Sequence, residues 1–410
     1  MVDGFFSRKE TQSKTNPDGR TYSCVSCKNL RNSKNPRMAP QGNFGKGILI
    51  INNYPSKRDD EKKRFLTGKC GVYLRRALQN EGIDLWEDCL VANAVMCVPF
   101  APDEKEKPLS HYELACCRKS LIQLIDEKMP KLIFVLGDAG IISLLQHRWQ
   151  GDIGNIHKWR GWTIPDQDFK AWICPVYHPD FVNQGGDEVK TIFNQDIHQA
   201  LKKLDEPFAV YKKPTIEIIN DLKRIREIKI STQSAVDYET TGIKPDAVGH
   251  RIISSSVTLD PDHALTFLMP DTKKQRQPFL EYLSNPLIHK IGQNIKFEHT
   301  WSLVRLRTEV QGWEWDTMLA SHQLDNRPGI TGLKFQTYVR FGVIDYSSDV
   351  SPYLKSSDGQ DANALNQIQK LIQTTEGVRQ LLTYGAMDTI NTHRLALVQM
   401  KELNYDFLPF

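Results

Sequence analysis

The sequence predicts a two-domain α/β protein, and three observations carry that expectation. In the first half, the apolar segments GILIINN, CLVANAV, KLIFVLG and WICPVYH alternate with the amphipathic segments CGVYLRRALQNEG, HYELACCRKSLIQLIDEKM and DAGIISLLQ. Such alternation builds a parallel sheet with helices on both faces. All eight cysteines (Cys24, Cys27, Cys70, Cys89, Cys97, Cys116, Cys117 and Cys174) lie in that half. The charged stretch LKKLDEPFAVYKKPTIEI, with Pro207 and Pro214, then leads into a half that has no cysteine but several acidic clusters. A chain of 410 residues with 40% hydrophobic content has enough apolar material for two cores. The expected divisions are a basic arm at 1–20, a first domain at 21–204, a linker at 205–214 and a second domain at 215–410.

The net charge of +4 says little, but its distribution says more. Residues 1–46 carry nine Lys/Arg against three acids, Asp3, Glu10 and Asp18. A basic arm suits a phosphate backbone, and a solvated tail has the same composition. No apolar run approaches the length that spans a bilayer, and MVDGFFSRKETQSK lacks the apolar core of a secretory signal, so an intracellular, cytoplasmic protein without membrane contact is expected. Clustered cysteines in such a protein argue for a metal site over disulfides.

In the second half, SAVDYE reads as a strand, where side chains two apart share a face. Asp237 and Glu239 therefore project together, and Tyr238 faces the opposite layer. Tyr384 and Asp388 are four apart within a helical pattern formed by Leu381, Leu382, Ala386 and Leu395, which places them on one helix face. With Glu298 of GQNIKFEHTW they supply four carboxylates and a phenol, the set that a two-metal phosphoryl-transfer site needs. Each cluster alone also reads as a solvated strand end or helix face. Asp316 of GWEWDTML is a competing acidic candidate.

Taken in order, VDYETTG, GQNIKFE and Tyr384-x-x-x-Asp388 resemble the three motifs of the DEDDy 3′–5′ exonucleases, with the closest likeness to the proofreading domain of family A DNA polymerases. The segment WDTMLASHQLDNRPGITGLKFQTYVRFG extends the likeness, which covers about residues 215–400. The resemblance implies a ribonuclease H-like domain in which Asp237, Glu239 and Asp388 hold two Mg²⁺ or Mn²⁺ ions, Glu298 completes the carboxylate set and Tyr384 orients the attacking water. It implies that Asn294 lies near a single-stranded DNA 3′ end and that Asp316 is structural. The family usually has Asp where this chain has Glu298, whose arm is one methylene longer, so the geometry there must differ or the metal must be reached through water. Because the chain stops at NYDFLPF soon after the third motif, the resemblance points to a free-standing nuclease or to a DNA polymerase subunit on a separate chain as partner. A bacteriophage replication polymerase is the natural setting.

The first half is similar to the family 4 uracil-DNA glycosylases over about residues 20–204, through CLVANAVMCVPF, ELACCRKSL, KLIFVLGDAG, Trp159-Arg160-Gly161 and PVYHPDFV in that order. That resemblance implies a [4Fe–4S] cluster on Cys24, Cys27, Cys97 and Cys117, with Cys116 as the alternative to Cys117, and a base-recognition pocket containing Asn93 and His178. Cys70, Cys89 and Cys174 then read as small buried hydrophobes. The catalytic loop departs from the family's pattern. Asn53 of NNYPS stands where the family has an acidic residue, and an amide cannot act as a general base. Leu66 stands where the family has a base-stacking aromatic. These departures favour a DNA-holding module over an active glycosylase. The remaining readings are a bifunctional repair enzyme that still removes uracil and a non-catalytic DNA-binding subunit of a replication assembly.

Overall fold

Two sheets organise the chain in a computed structural model that describes residues 22–99, 109–149, 151–344, 346–356 and 361–405. The basic arm expected at 1–20 lies outside the described residues. The chain divides into two compact units: residues through Tyr211 together with Tyr338–Ile344, and Lys212–Thr337 together with the chain from 345 onward. The α/β, two-domain class expected from the alternating segments is the one observed.

The first unit is built on β1 (Ile48–Asn52), β2 (Cys89–Asn93), β3 (Leu132–Leu136), β4 (Ile164–Asp166) and β5 (Ala171–Val176), in the order β2-β1-β3-β5-β4. The first four strands in that order run parallel and β4 pairs antiparallel to β5. Every residue of β1, β2 and β3 is buried, which explains why these strands read as continuous apolar runs rather than alternating ones. The His111–Lys128 helix starts where the Glu113 carboxylate accepts the Ser110 backbone N–H at 2.9 Å.

The second unit carries a mixed six-stranded sheet. Its strands are β6 (Thr215–Ile218), β7 (Gln233–Thr240), β8 (Ile252–Asp260), β9 (His263–Leu268), β10 (His289–Gly292) and β11 (Trp313–Asp316), ordered β11-β10-β7-β8-β9-β6. The β7–β8 and β8–β9 pairs are antiparallel, and the other three are parallel. One face packs Val236, Tyr238, Val257, Leu265 and Phe267 against Phe279, Tyr282 and Leu283 of the Lys273–Ser284 helix. The other face receives the Thr375–Glu402 helix, capped by Thr374, whose hydroxyl accepts the Gly377 N–H at 3.0 Å. That helix is buried along most of its middle, from Leu381 to His393, so apolar content alone hides its polar face in the sequence.

His393 fixes this helix to β8. The Thr258 hydroxyl accepts the Ala235 N–H at 2.7 Å and lies within hydrogen-bond distance of His393 Nδ1, at 2.8 Å. Burial pulls the His393 pKa down to about 4. The folded value lies below the unfolded one, so the protonated ring belongs to the unfolded chain. Stability carried by His393 is therefore complete above the unfolded pKa near 6.5 and is lost as pH falls toward 4. Urea unfolding at pH 7 and pH 4 is expected to show a pH-dependent loss on the order of 3 kcal/mol greater in the wild type than in His393→Asn. Equal pH dependence in the two proteins would remove His393 from this role.

Candidate active site

The period-2 geometry of β7 sends Tyr238 into the core, where its hydroxyl lies 2.7 Å from Ser302 Oγ, and directs Asp237 and Glu239 to the face covered by the Thr375–Glu402 helix. Asp388 descends from that helix, and the ligand atoms of Asp237, Glu239 and Asp388 lie within 4.8 Å of one another. The close approach depends on Gly385, one turn before Asp388. A Cβ on this glycine would stand 3.2 Å from Ser256 Oγ and 3.6 Å from Glu239 Cγ.

Crowding and burial disfavour the charged forms of Asp237 and Glu239. Burial, reinforced by the Asp388 charge, holds the Asp237 carboxyl well above the usual carboxylate range. Burial also raises Glu239, with the charges of Asp237 and Asp388 adding to it. Glu298, on the Ile295–Trp301 helix, is 3% exposed and is raised by burial and by the Asp237 charge. Its Oε2 is buried without a hydrogen-bond partner, and Glu298 stands outside the set of three mutually close ligands. The longer arm thus belongs to a carboxylate beside the cluster rather than within it.

Two residues that the sequence reasoning missed complete the site. Lys334, on the Leu333–Phe341 helix, pairs with Asp388 Oδ1, and the same oxygen accepts the Tyr346 hydroxyl at 2.5 Å. The Lys334 ammonium also lies 3.7 Å from the Tyr346 ring centroid and 4.3 Å from that of Tyr384. Burial lowers the Lys334 pKa, and Asp388 opposes that shift. Burial likewise raises the Tyr384 phenol, with Asp388 contributing next. No local spacing in the sequence announces Lys334 or Tyr346, because tertiary packing alone brings them to Asp388.

Asp316 takes no part in the cluster. It caps two helices, accepting the Asn294 and Ile295 N–H groups at 3.1 and 3.0 Å and those of Met318 and Leu319 at 2.9 and 3.3 Å. Asn294 begins the helix of Glu298 with a left-handed backbone, φ +68°. Beside Glu239 opens a cavity of about 340 Å³, with walls that include Ile243, Phe297, Leu354 and Asn366.

In the first unit, His178, Asn52 and Asn93 form one hydrogen-bonded chain. His178 Nδ1 accepts the Asp180 N–H at 3.2 Å, so Nε2 carries the proton and donates to Asn52 Oδ1 at 2.8 Å. Asn52 Nδ2 then donates to Asn93 Oδ1 at 2.9 Å. Burial lowers the His178 pKa, consistent with the neutral ring that this chain requires. Asn93 Nδ2 and Asn53 Oδ1 are left buried without partners. Gly137, at φ +76°, brings the backbone against both residues, since a Cβ there would lie 3.1 Å from His178 Cβ and 3.4 Å from Asn53 Oδ1. Leu66 is 1% exposed and left-handed, at φ +54°, so its side chain offers no open stacking surface.

The cysteines expected to act together do share one neighbourhood. Cys24 and Cys27 flank a turn, Cys97 follows β2, and Cys116 and Cys117 sit on the His111–Lys128 helix. Burial raises the Cys27, Cys97 and Cys116 thiols and pushes Cys117 up to about 12, and each of these four also feels the charge of Cys24. Arg37 donates its backbone N–H to Cys97 Sγ at 3.3 Å and its Nε to Cys24 Sγ at 3.0 Å. Cys89 and Cys174 are buried in strands, whereas Cys70 is only half-buried.

Residues 39–204 match the model of the Uracil DNA glycosylase superfamily. A type-4 uracil-DNA glycosylase of Pyrobaculum aerophilum is 27% identical over 141 residues, which are 34% of this chain and 69% of that protein. Among solved structures, Brucella melitensis NrnC bound to pGG is 19% identical, with a TM-score of 0.32, over 47% of this chain and 83% of its own. The POL domain of Pol1 from M. smegmatis, in complex with DNA primer-template and dNTP, is 11% identical, with a TM-score of 0.32, over 47% of this chain and 27% of its own. No helix among the described residues is long and apolar enough to cross a membrane.

The Gly385 contact has a direct test. In Gly385→Val the branched side chain must displace Ser256 and Glu239 or push the helix away, at a cost of about 1–3 kcal/mol. Urea unfolding should show that loss, and calorimetric titration with Mn²⁺ should show weaker binding as Asp388 moves off Glu239. Unchanged stability and unchanged Mn²⁺ binding would refute the close-approach argument.

Proposed function

We propose that the second unit is a metal-dependent 3′–5′ DNA exonuclease. The observation that carries this reading is the convergence of Asp237, Glu239 and Asp388 within 4.8 Å, from a strand and a helix, beside the cavity at Glu239. The donor set suits the proposed group. It is all oxygen, as hard divalent ions require, burial and the neighbouring carboxylates raise Asp237 and Glu239, and Glu298 Oε2 is orphaned next to it. Two Mg²⁺ or Mn²⁺ ions bound there would stabilise the attacking and leaving oxygens of an in-line displacement.

The residues of the chain do the remaining work. Asp237, Glu239 and Asp388 would hold the ions, with Glu298 completing the carboxylate set beside them. Tyr384, on the helix face of Asp388, orients the water that attacks the terminal phosphorus. The phosphorus–oxygen bond to the penultimate 3′ oxygen breaks, and a nucleoside 5′-monophosphate leaves. The cavity is of a size for one nucleoside, and Ile243, Phe297 and Leu354 offer it apolar contact, while Asn294, at the start of the Glu298 helix, would approach the bound strand. Nucleotide release from 3′-labelled single-stranded DNA should require Mg²⁺ or Mn²⁺ and fall at least a thousandfold in Asp237→Ala/Glu239→Ala, the scale expected when the groups that stabilise the transition state are removed. Full activity in the double mutant would falsify the assignment.

For the first unit we propose a DNA-holding module with an iron–sulfur centre on Cys24, Cys27, Cys97 and Cys117, Cys116 being the alternative to the last. Cysteine thiolates suit an iron–sulfur centre, and Cys27, Cys97, Cys116 and Cys117 each feel the charge of Cys24. Uracil excision remains the second reading, favoured by the match over residues 39–204 and by the buried, unpartnered Asn93 Nδ2. Asn53 in the catalytic loop opposes it. Uracil-containing duplex DNA incubated with the protein should therefore form no abasic sites above background. Abasic sites lost in His178→Ala but kept in Asp237→Ala/Glu239→Ala would establish the second reading instead.

A further inference from the structure

We propose that Lys334 is the built-in counter-ion of the carboxylate cluster and competes with a divalent ion for Asp388, so that metal loading displaces its ammonium from that carboxylate. The inference rests on the reading of the cluster as a metal site. Three observations carry it. Lys334 pairs with Asp388 Oδ1, an atom that the metal needs and that already accepts the Tyr346 hydroxyl. Its positive field also reaches Asp237 and Glu239, so this one side chain offsets charge on every ligand of the close group. The ammonium is seated against the Tyr346 and Tyr384 rings at 3.7 and 4.3 Å, which gives it a defined position rather than a solvated one.

The charges explain why the arrangement has two states. Asp237, Glu239, Asp388 and Glu298 can carry four negative charges against one ammonium, too few to satisfy the site without metal. A divalent ion at Asp388 would stand within a few ångströms of a like charge, which the cluster has no reason to keep once the metal neutralises it. Lys334 is half-buried, so its aliphatic arm can carry the ammonium outward without disturbing β7 or the Thr375–Glu402 helix. A released ammonium at the mouth of a metal-loaded site would be well placed to meet the phosphodiester of an incoming strand.

The test measures metal binding without nucleic acid. The full chain, Lys334→Met and Lys334→Gln are titrated with Mn²⁺ and followed by electron paramagnetic resonance, with Asp237→Ala/Glu239→Ala as the blank. Removal of the competing charge should tighten Mn²⁺ binding by roughly tenfold and lower the melting temperature in EDTA. Equal or weaker binding in both variants would overturn the proposal, because Lys334 would then position Asp388 for the metal instead of competing with it. A second measurement needs no variant: the rate at which an amine-reactive acylating reagent modifies Lys334, read by mass spectrometry, should rise severalfold when Mn²⁺ is added. No change or a fall would also overturn it. If the unaltered protein binds no Mn²⁺, the metal-site reading fails and takes this inference with it, whereas binding that ignores Lys334 removes the inference alone.

Discussion

The second unit depends on one electrostatic constraint: several carboxylates are held together in a place that water reaches poorly. Asp237 and Glu239 come from a central strand and Asp388 from the long helix laid across it, so the charges cannot separate without parting helix from sheet. Like charges at that range oppose folding unless a cation or a proton relieves them. The raised carboxyls, the ammonium of Lys334 and the phenol donated by Tyr346 are three responses to the same problem. Gly385 makes the problem worse by permitting closer approach, which is understandable where closeness serves a ligand rather than stability.

In the first unit, polar groups are tied into a chain that ends in unsatisfied atoms. His178, Asn52 and Asn93 fix one another's orientation, and the ring tautomer follows from the Asp180 N–H. The chain terminates at Asn93 Nδ2, and the neighbouring Asn53 Oδ1 is equally unpartnered. A buried donor and a buried acceptor without partners are costly, which is most easily understood if a ligand or water meets them. On the proposed reading, an amide at Asn53 leaves these groups able to meet a polar ligand but supplies no general base.

Much of this was legible in the sequence because it depends on local periodicity. The two-residue spacing of Asp237 and Glu239 and the four-residue spacing of Tyr384 and Asp388 dictate which side chains share a face, whatever the fold around them. The buried strands of the first sheet were legible as continuous apolar runs. Lys334 and Tyr346 were not, since they reach Asp388 across 54 and 42 residues of chain and no pattern marks them. Glu298, expected to complete the carboxylate set, stands outside the close group, a distinction of side-chain reach that spacing cannot give. The grouping of Tyr338–Ile344 with the first unit was also beyond the sequence, because those residues lie far along the second half of the chain. So was the left-handed, buried Leu66, since nothing in FLTGKCG requires that backbone.

The central claim is that Asp237, Glu239 and Asp388 form a divalent-ion site, and its most direct measurement is an anomalous difference map from crystals of the protein grown with Mn²⁺ and a nucleoside 5′-monophosphate. The account predicts Mn²⁺ peaks bounded by Asp237, Glu239 and Asp388, with the nucleoside in the cavity beside Glu239. A map with the nucleotide bound, Lys334 still paired with Asp388 and no Mn²⁺ peak at the three carboxylates would contradict it.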